Sequence, residues 1–307
     1  MAFAQAKRMG GLSMAEDSTI SQNLPQTGLL LIGMGPGSVA SMTREAVEAA
    51  TSATHRRYEA YTALWPEKEL HALEEIVGPI QRVMRPEVES PDELFALAAS
   101  SLVALLVVGD PLQATTHVDL QLQANEAGIE CRVFHGVSIT TLVTGAVGLS
   151  NYRFGRQTTL TYPYGGWVAT SPLETIAVNR FTGLHTLALL DLDPTGQGTG
   201  DQRPMTPKDA LHSIELMYAK IGEGLEERSF SGENAADVLA SEALRGFVSE
   251  EFHKIRVVLC SDMGTDDQNI VTTTIGGLGE EPGGRLNCLV FPATTGEVEE
   301  KAVLRWQ

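Results

Sequence analysis

The chain has 307 residues, 43% hydrophobic and 20% charged, ordinary globular usage that excludes collagen-like, disordered and disulfide-scaffold classes. That length permits two modest domains or one large α/β domain. With 22 basic against 39 acidic residues the net charge is −17, which offers phosphate backbones and anionic lipid no general attraction and favours a cationic small molecule over nucleic acid or membrane.

The first 26 residues or so mix Lys7, Arg8, Gly10 and Gly11 with Glu16 and Asp17 and never build the apolar core of a signal peptide, so residues 1–28 read as a flexible tail. Leu29–Ile32 is a buried strand stopped by Gly33, and a helix follows near Thr43–Thr51. Ser90–Pro91–Asp92–Glu93 carries the cap, first-turn proline and reaching glutamate of a helix that runs to about Ser100. It feeds Leu102–Val108, a Val/Leu run without alternation, as expected of a central parallel strand covered on both faces. A helix over Val118–Ala127 stops at Gly128, and Glu130–Phe134 is the next strand. Strand and helix in alternation predict a parallel α/β domain over residues 29–150.

A second α/β domain, residues 151–307, opens after Gly148–Leu149–Ser150. Ser171–Pro172–Leu173–Glu174 starts a helix ending near Gly183, and His185–Leu190 is a strand. Pro194–Pro204, with three glycines, reads as a mobile loop, and Thr206–Pro207 opens a helix that carries past Met217. Asn234–Glu251, Ile255–Cys260 and Leu286–Phe291 add a helix and two strands. The apolar runs fall far short of the roughly 20 residues that span a bilayer. Cys131, Cys260 and Cys288, far apart and each in an apolar run, read as reduced, buried thiols of a cytosolic chain, without zinc spacing.

Three strand-end loops carry the chemistry. Gly33–Met34–Gly35–Pro36–Gly37–Ser38 follows the first strand; glycine lets backbone approach a ligand, although an ordinary tight turn is the competing reading. The spacing lacks the last glycine of a dinucleotide fingerprint, and no Gly-Lys-Ser/Thr makes it a P-loop. Gly109–Asp110–Pro111 follows the central strand, and His135–Gly136–Val137–Ser138–Ile139 the third. Ligands of open α/β sheets sit beyond the carboxyl ends of the strands, so these loops are expected to face one crevice, with Asp110 aimed at a cationic ligand. Against that stands Asp110 as a turn residue bonding its own backbone, Thr115 and Thr116 as caps, and His117 in the following first turn. No nucleophile–base pair, HExxH or Cys/His cluster appears, so no catalytic dyad and no metal ligands are assigned, and positioning chemistry on a bound cofactor remains.

Together these segments resemble the tetrapyrrole methylase class of S-adenosylmethionine-dependent methyltransferases, and within it the diphthine synthases. LIGMGPGS at Leu31–Ser38, VVGDP at Val107–Pro111 and HGVSI at His135–Ile139 carry the class likeness. YEAYT at Tyr58–Thr62, GDPLQATTH at Gly109–His117, GLSNYRFG at Gly148–Gly155, YPYGGWVATS at Tyr162–Ser171 and GLHTLALLDL at Gly183–Leu192 carry the narrower one. The resemblance implies two α/β domains of the tetrapyrrole methylase type with the cofactor cleft between them, in a homodimer. It implies S-adenosylmethionine contacts at Pro36, Asp110, Gln113, Ser138, Ile139, Leu190, Met263 and Asn287. Where relatives usually read Leu-Ala-Arg-x-Gly, this chain has Cys260–Ser261–Asp262–Met263–Gly264, a reversal of charge at Asp262, and where they commonly have histidine it has Asn287.

The implied reaction methylates, in succession, the amine of a 3-amino-3-carboxypropyl group on a modified histidine of translation elongation factor 2. An α-amino group titrates near 8, so holding amine and methyl together supplies much of the acceleration without a strong base. A trimethylammonium product favours aromatic faces, which points to Tyr162 and Trp167; packing at the domain junction is their competing reading. A class member acting on a tetrapyrrole shares the three loops but is expected to lack ATTH, YRFG and GLHTL. A non-enzymatic nucleotide-binding module is the other alternative. Three methyls or a fourth as a methyl ester are both open.

Overall fold

The computed structural model describes residues 23–200, 202–224 and 234–307. Residues 1–22 of the expected tail lie outside them, but residues 23–28 are docked: the Asn23 carbonyl accepts from Arg132 at 2.6 Å.

Five strands, β1 (Gly28–Gly33), β2 (His55–Glu59), β3 (Gln81–Val83), β4 (Leu102–Val107) and β5 (Cys131–Phe134), form a parallel sheet ordered β3-β2-β4-β1-β5. Every residue of β1 and β4 is buried, because alternate side chains serve opposite faces. Leu30, Ile32, Ala104 and Leu106 meet helices α1 (Arg44–Ser52) and α2 (Glu67–Val77), whereas Leu29, Leu31, Val103 and Leu105 meet α4 (Asp92–Ala98) and α5 (His117–Glu126). A strand apolar on both sides needs both layers, which is why these runs show no alternation. The short α3 (Arg85–Glu89) precedes α4. Ser90 is not the cap of α4, as its sequence suggests, but ends α3; α4 begins after Pro91 without a side-chain cap bond. Thr43 does cap α1, accepting from Ala46 N–H at 3.1 Å.

After α6 (Ile139–Ala146) come β6 (Thr158–Leu160), α7 (Ser171–Phe181), β7 (Thr186–Leu190), α8 (Pro207–Gly224), α9 (Ala235–Ser249), β8 (Arg256–Ser261), β9 (Asn269–Thr274), β10 (Asn287–Phe291) and α10 (Glu297–Leu304). The strands form a second, mixed sheet ordered β6-β7-β10-β8-β9, parallel only between β6 and β7. Helices α7, α8 and α9 cover one face; Val143 and Val147 at α6 and Val303 of α10 pack on the other. The fold is therefore mixed α/β with a parallel sheet and a second sheet, as expected. Cys260 and Cys288 are free and buried; Cys131 is free but only partly buried. Among the described residues no helix is long and apolar enough to cross a membrane.

Glu299 of α10 fastens several segments of the second half. It accepts from Ser150 N–H at 2.9 Å, Gly296 N–H at 3.0 Å and Arg153 at 2.6 Å, and His185 Nε2 lies at 3.2 Å. His185 Nδ1 accepts from Ala293 N–H at 3.0 Å, so the ring hydrogen is on Nε2 and faces the carboxylate. Burial opposes ionisation of Glu299, but the N–H groups of Gly296 and Ser150 and the His185 contact outweigh it and hold the carboxyl down at about 2. Because an unfolded glutamate titrates near 4.3, this contribution is full above about pH 5 and fades as pH falls toward about 2. Glu299→Ala is expected to lower unfolding free energy by about 3 kcal/mol at neutral pH, with the gap to wild type closing in acid. Urea melts between about pH 7 and about pH 3 check this; a gap that stays constant across them rejects the network.

Candidate functional site

In register, β1, β4 and β5 end at one level: Gly33 lies beside Val107 and Ile32 beside Phe134. Their loops then meet backbone to backbone. A Cβ on Gly33 would stand 2.5 Å from the Gly136 nitrogen and 2.7 Å from the Gly109 oxygen, and one on Gly136 would overlap the same Gly109 carbonyl. Gly35 and Gly109 exchange two main-chain hydrogen bonds, 3.1 and 2.9 Å, both at positive φ. Pro36, at the tip, presses on Gly264 after β8, where a Cβ would collide with its ring. So the first glycine loop joins its own sheet's loops and also touches the second sheet.

These loops wall a cavity of about 900 Å³. Pro36, Gln113, Ser138 and Ile139 line it from the first half, and Leu190, Met263 and Asn287 from the second, so seven of the eight expected cofactor positions share one space. Ser138 caps α6, and Thr140 Oγ1 lies 2.9 Å from its hydroxyl and 2.6 Å from Gln113 Oε1, which leaves the Gln113 amide hydrogens for the cavity. Asn287 is held by its turn: Oδ1 accepts from Ser261 and from Gly284 N–H, each at 2.8 Å.

The eighth position, Asp110, does not line the cavity. It is 3% exposed; its carboxylate accepts from Leu112 N–H at 2.9 Å and Gly136 N–H at 3.3 Å, and His135 Nδ1 stands at 2.7 Å. The turn-residue reading is thus half of the answer: Asp110 closes its own turn and fastens the third loop to it. Thr116 ends up next to the first turn of α5 without a side-chain cap bond.

Tyr162 and Trp167 do not line the cavity either. Tyr162 packs in the core of the second sheet, its hydroxyl donating to the Arg203 carbonyl at 3.0 Å. Trp167 is 58% exposed beneath Lys220, 5.0 Å from the ring centre. The turn at Gly165–Gly166, φ +57° and +82°, folds Tyr164 onto Trp167 through paired main-chain bonds of 2.9 Å and sends Tyr164 into the cavity instead. Burial and its bond to the Asp191 carboxylate push the Tyr164 hydroxyl well above the usual tyrosine range, so it stays protonated.

The loop after β7, expected to be mobile, is fastened where it is described. Asp193 accepts from Thr195 N–H at 2.8 Å and Gly198 N–H at 2.6 Å, and Gly198 O accepts from Arg85 N–H at 3.1 Å. Asp191, Asp193, Glu89 and Asp262 border the cavity against Arg85 and Arg285. Asp262, at φ +46°, accepts from Arg285 and Leu286 N–H at 2.9 and 3.0 Å. Cys260 and Cys288, opposite each other on β8 and β10, form part of the wall. The Cys288 hydrogen bond and burial push the Cys260 thiol up, so it stays neutral and a poor nucleophile. Among the described residues no three His, Cys, Asp or Glu side chains converge on a metal position.

The family pattern of the tetrapyrrole (corrin/porphyrin) methylases matches residues 28–279, all of the first sheet and all of the second but β10. The chain belongs to this family and is a methyltransferase. Over 194 residues it is 36% identical to the diphthine synthase of Methanoregula boonei, covering 62% of this chain and 75% of that one. Over 213 residues it is 34% identical to that of Methanothermobacter thermautotrophicus, covering 69% and 77%. A crystal structure of a diphthine synthase superposes with a TM-score of 0.71 at 26% identity, covering 91% and 95%. Within the family the chain stands with the diphthine synthases, and the tetrapyrrole and non-enzymatic alternatives fall away.

The glycine contacts have a direct check. Gly136→Ala is expected to destabilise the protein by about 3 kcal/mol, since neither neighbour is a side chain that can turn aside. Gly145→Ala in α6, where an added Cβ meets nothing, is expected to be neutral or up to about 1 kcal/mol stabilising. Equal melting temperatures for both variants would contradict the packing described.

Proposed function

We propose that the chain uses S-adenosylmethionine to methylate, three times in succession, the amine of a 3-amino-3-carboxypropyl group on a modified histidine of translation elongation factor 2. It acts as a cytoplasmic homodimer whose subunits comprise two domains, divided near residue 150, closing on one cofactor. The observation that carries this reading is the convergence of three strand-end loops and of Leu190, Met263 and Asn287 on a single cavity. Its volume, about 900 Å³, is at the upper end of small-ligand pockets, which leaves room for acceptor as well as cofactor. Its excess of carboxylates suits a sulfonium and a quaternary ammonium, both cations.

When bound, S-adenosylmethionine supplies a methyl on positively charged sulfur. The chain's residues bind, orient and enclose. Pro36 and Met263 bring the two halves to the same ligand, and Gln113 offers an oriented amide. Asp110 acts at one remove, by holding the His135–Ile139 loop against its own. Tyr164 presents an aromatic face to the product ammonium, the part expected of Tyr162 and Trp167. The Cys260 thiol stays neutral and supplies no nucleophile, so the chain's part would be to hold amine and methyl together, the proximity that supplies most of the rate.

Incubation with cofactor and elongation factor 2 carrying the modified histidine, followed by mass spectrometry, is expected to show the mass of three added methyl groups; unmodified factor gains none. A fourth methyl would make the product an ester, and no transfer would end the reading. Asp110→Ala is expected to weaken S-adenosylmethionine binding by more than about tenfold, about 1.4 kcal/mol, read by calorimetry. Tyr164→Ala is expected to stall at the second methyl while Trp167→Ala gives wild-type trimethyl yield; the opposite pattern would return the role to Trp167.

A further inference from the structure

Two buried titratable side chains lie behind the cavity wall and take no part in the transfer described above. Glu59, at the end of β2, is 0% exposed, and His117, opening α5, is 1% exposed. His117 Nδ1 stands 3.1 Å from the Pro111 carbonyl, which only accepts, so this nitrogen carries the hydrogen. Nε2 then faces Glu59 Oε2 at 3.9 Å, and neither atom has a hydrogen-bond partner among the described residues. Two lone-pair atoms facing each other in so buried a place repel, so the pair readily takes up one proton, on one or the other. The other oxygen, Glu59 Oε1, accepts from Thr62 N–H at 2.6 Å and Tyr61 N–H at 3.3 Å. The Thr62 hydroxyl lies against the same carboxylate, and Thr62 itself lines the cavity. A line of exchangeable protons thus runs from the cavity through Thr62 to Glu59 and His117.

N-methylation gives such a line a use. An amine attacks through its lone pair, so each ammonium must lose a proton before it accepts a methyl, and three transfers release three protons. The neighbouring carboxylate of the acceptor strengthens the ammonium's hold on its proton. We propose that Thr62 and Glu59 take up these protons one at a time, with His117 Nε2 as a second resting place, and return each through Thr62 to the open cavity between transfers. In each cycle an N–H bond of the ammonium breaks and its proton passes to Thr62 Oγ. The Thr62 hydroxyl hydrogen moves to Glu59, leaving a neutral amine and a protonated carboxyl beside His117. This inference rests on the amine-acceptor reading above.

The surroundings suit the task. Burial raises the Glu59 carboxyl above its usual range, against the opposing pull of Thr62, His117 and the two N–H groups, toward the region where an ammonium yields a proton. The ionisable groups facing it are Tyr58 and Tyr61 from its own segment and His117 from α5. Arg82 reaches the Tyr58 ring, and Arg85 with Glu89 reaches Tyr61. Both tyrosines are pushed up by burial, Tyr58 to about 12, so neither competes for the proton near neutrality.

The test is the pH profile of methyl transfer to the modified elongation factor. Glu59→Gln and Thr62→Val are each expected to slow transfer by about 100-fold at pH 7 and to regain rate as pH climbs through the ammonium's own titration. Thr62→Ser restores the wild-type profile, and S-adenosylmethionine affinity by calorimetry stays within about twofold of wild type in all three, less than about 0.5 kcal/mol. Thr62→Val, which removes one hydroxyl at nearly constant shape, decides alone where Glu59→Gln does not fold. Folded variants with the wild-type rate, or with a loss equal at every pH, overturn the proton route while wild-type transfer leaves the substrate reading standing. No transfer by the wild type overturns both.

Discussion

The mutual contact of Gly33, Gly109 and Gly136 is the constraint from which the rest of the site follows. Three parallel strands that end at one level would ordinarily turn away from each other, because side chains in the next residues fill the space. Here a residue without Cβ stands at each meeting point, and carbonyl and amide touch directly. The consequences run outward in both directions along the chain. Asp110, one residue past Gly109, reaches the Gly136 amide; Ser138, two residues past Gly136, starts α6 at the cavity edge. Helix α6 then packs Val143 on the second sheet, so a backbone contact in one half fixes the seat of the other.

Much of this was legible in the sequence, and the rest was hidden for identifiable reasons. β1 and β4 could be read because a strand covered on both faces is a run of apolar residues with nothing else to be. β2 could not: His55–Arg56–Arg57 looks like surface, but the Arg56 guanidinium turns back to the Ala50 carbonyl at 2.8 Å and the Ala53 carbonyl at 2.6 Å. Those are free C-terminal acceptors of α1, so the polarity of the strand is answered by the helix it follows. The crevice between the loops was foreseeable from the general position of ligands on open α/β sheets. Which way an aromatic points from Tyr162–Pro163–Tyr164–Gly165–Gly166–Trp167 was not, because two positive-φ glycines in a row reverse the chain and periodicity carries no information across them.

The two positions expected to depart from the family pattern, Asp262 and Asn287, are tied to main chain and side chain around them. Asp262 sits in left-handed backbone at the end of β8 and ties the 285–286 main chain across to itself; Asn287 bonds Ser261 and Gly284. Arginine has no acceptor for the amides that Asp262 takes, so it could not close this turn as Asp262 does. Both changes lie at the cavity edge, yet what they bond is protein.

The same economy explains the acidity around the site. Asp110, Asp191, Asp193 and Asp262 each accept main-chain N–H groups of nearby turns. Hydrogen bonds to a carboxylate favour its charged form, and for Asp193 they outweigh burial and hold its carboxyl below the usual range. Carboxylates that shape the loops therefore keep a standing negative potential at a cavity suited to cations, without any one of them having to touch the ligand. The formal charge of −17 is then a poor guide to the site by itself. What matters is that a few acids are fixed in place by amides that also set the walls, so that loop geometry and local field cannot be changed independently.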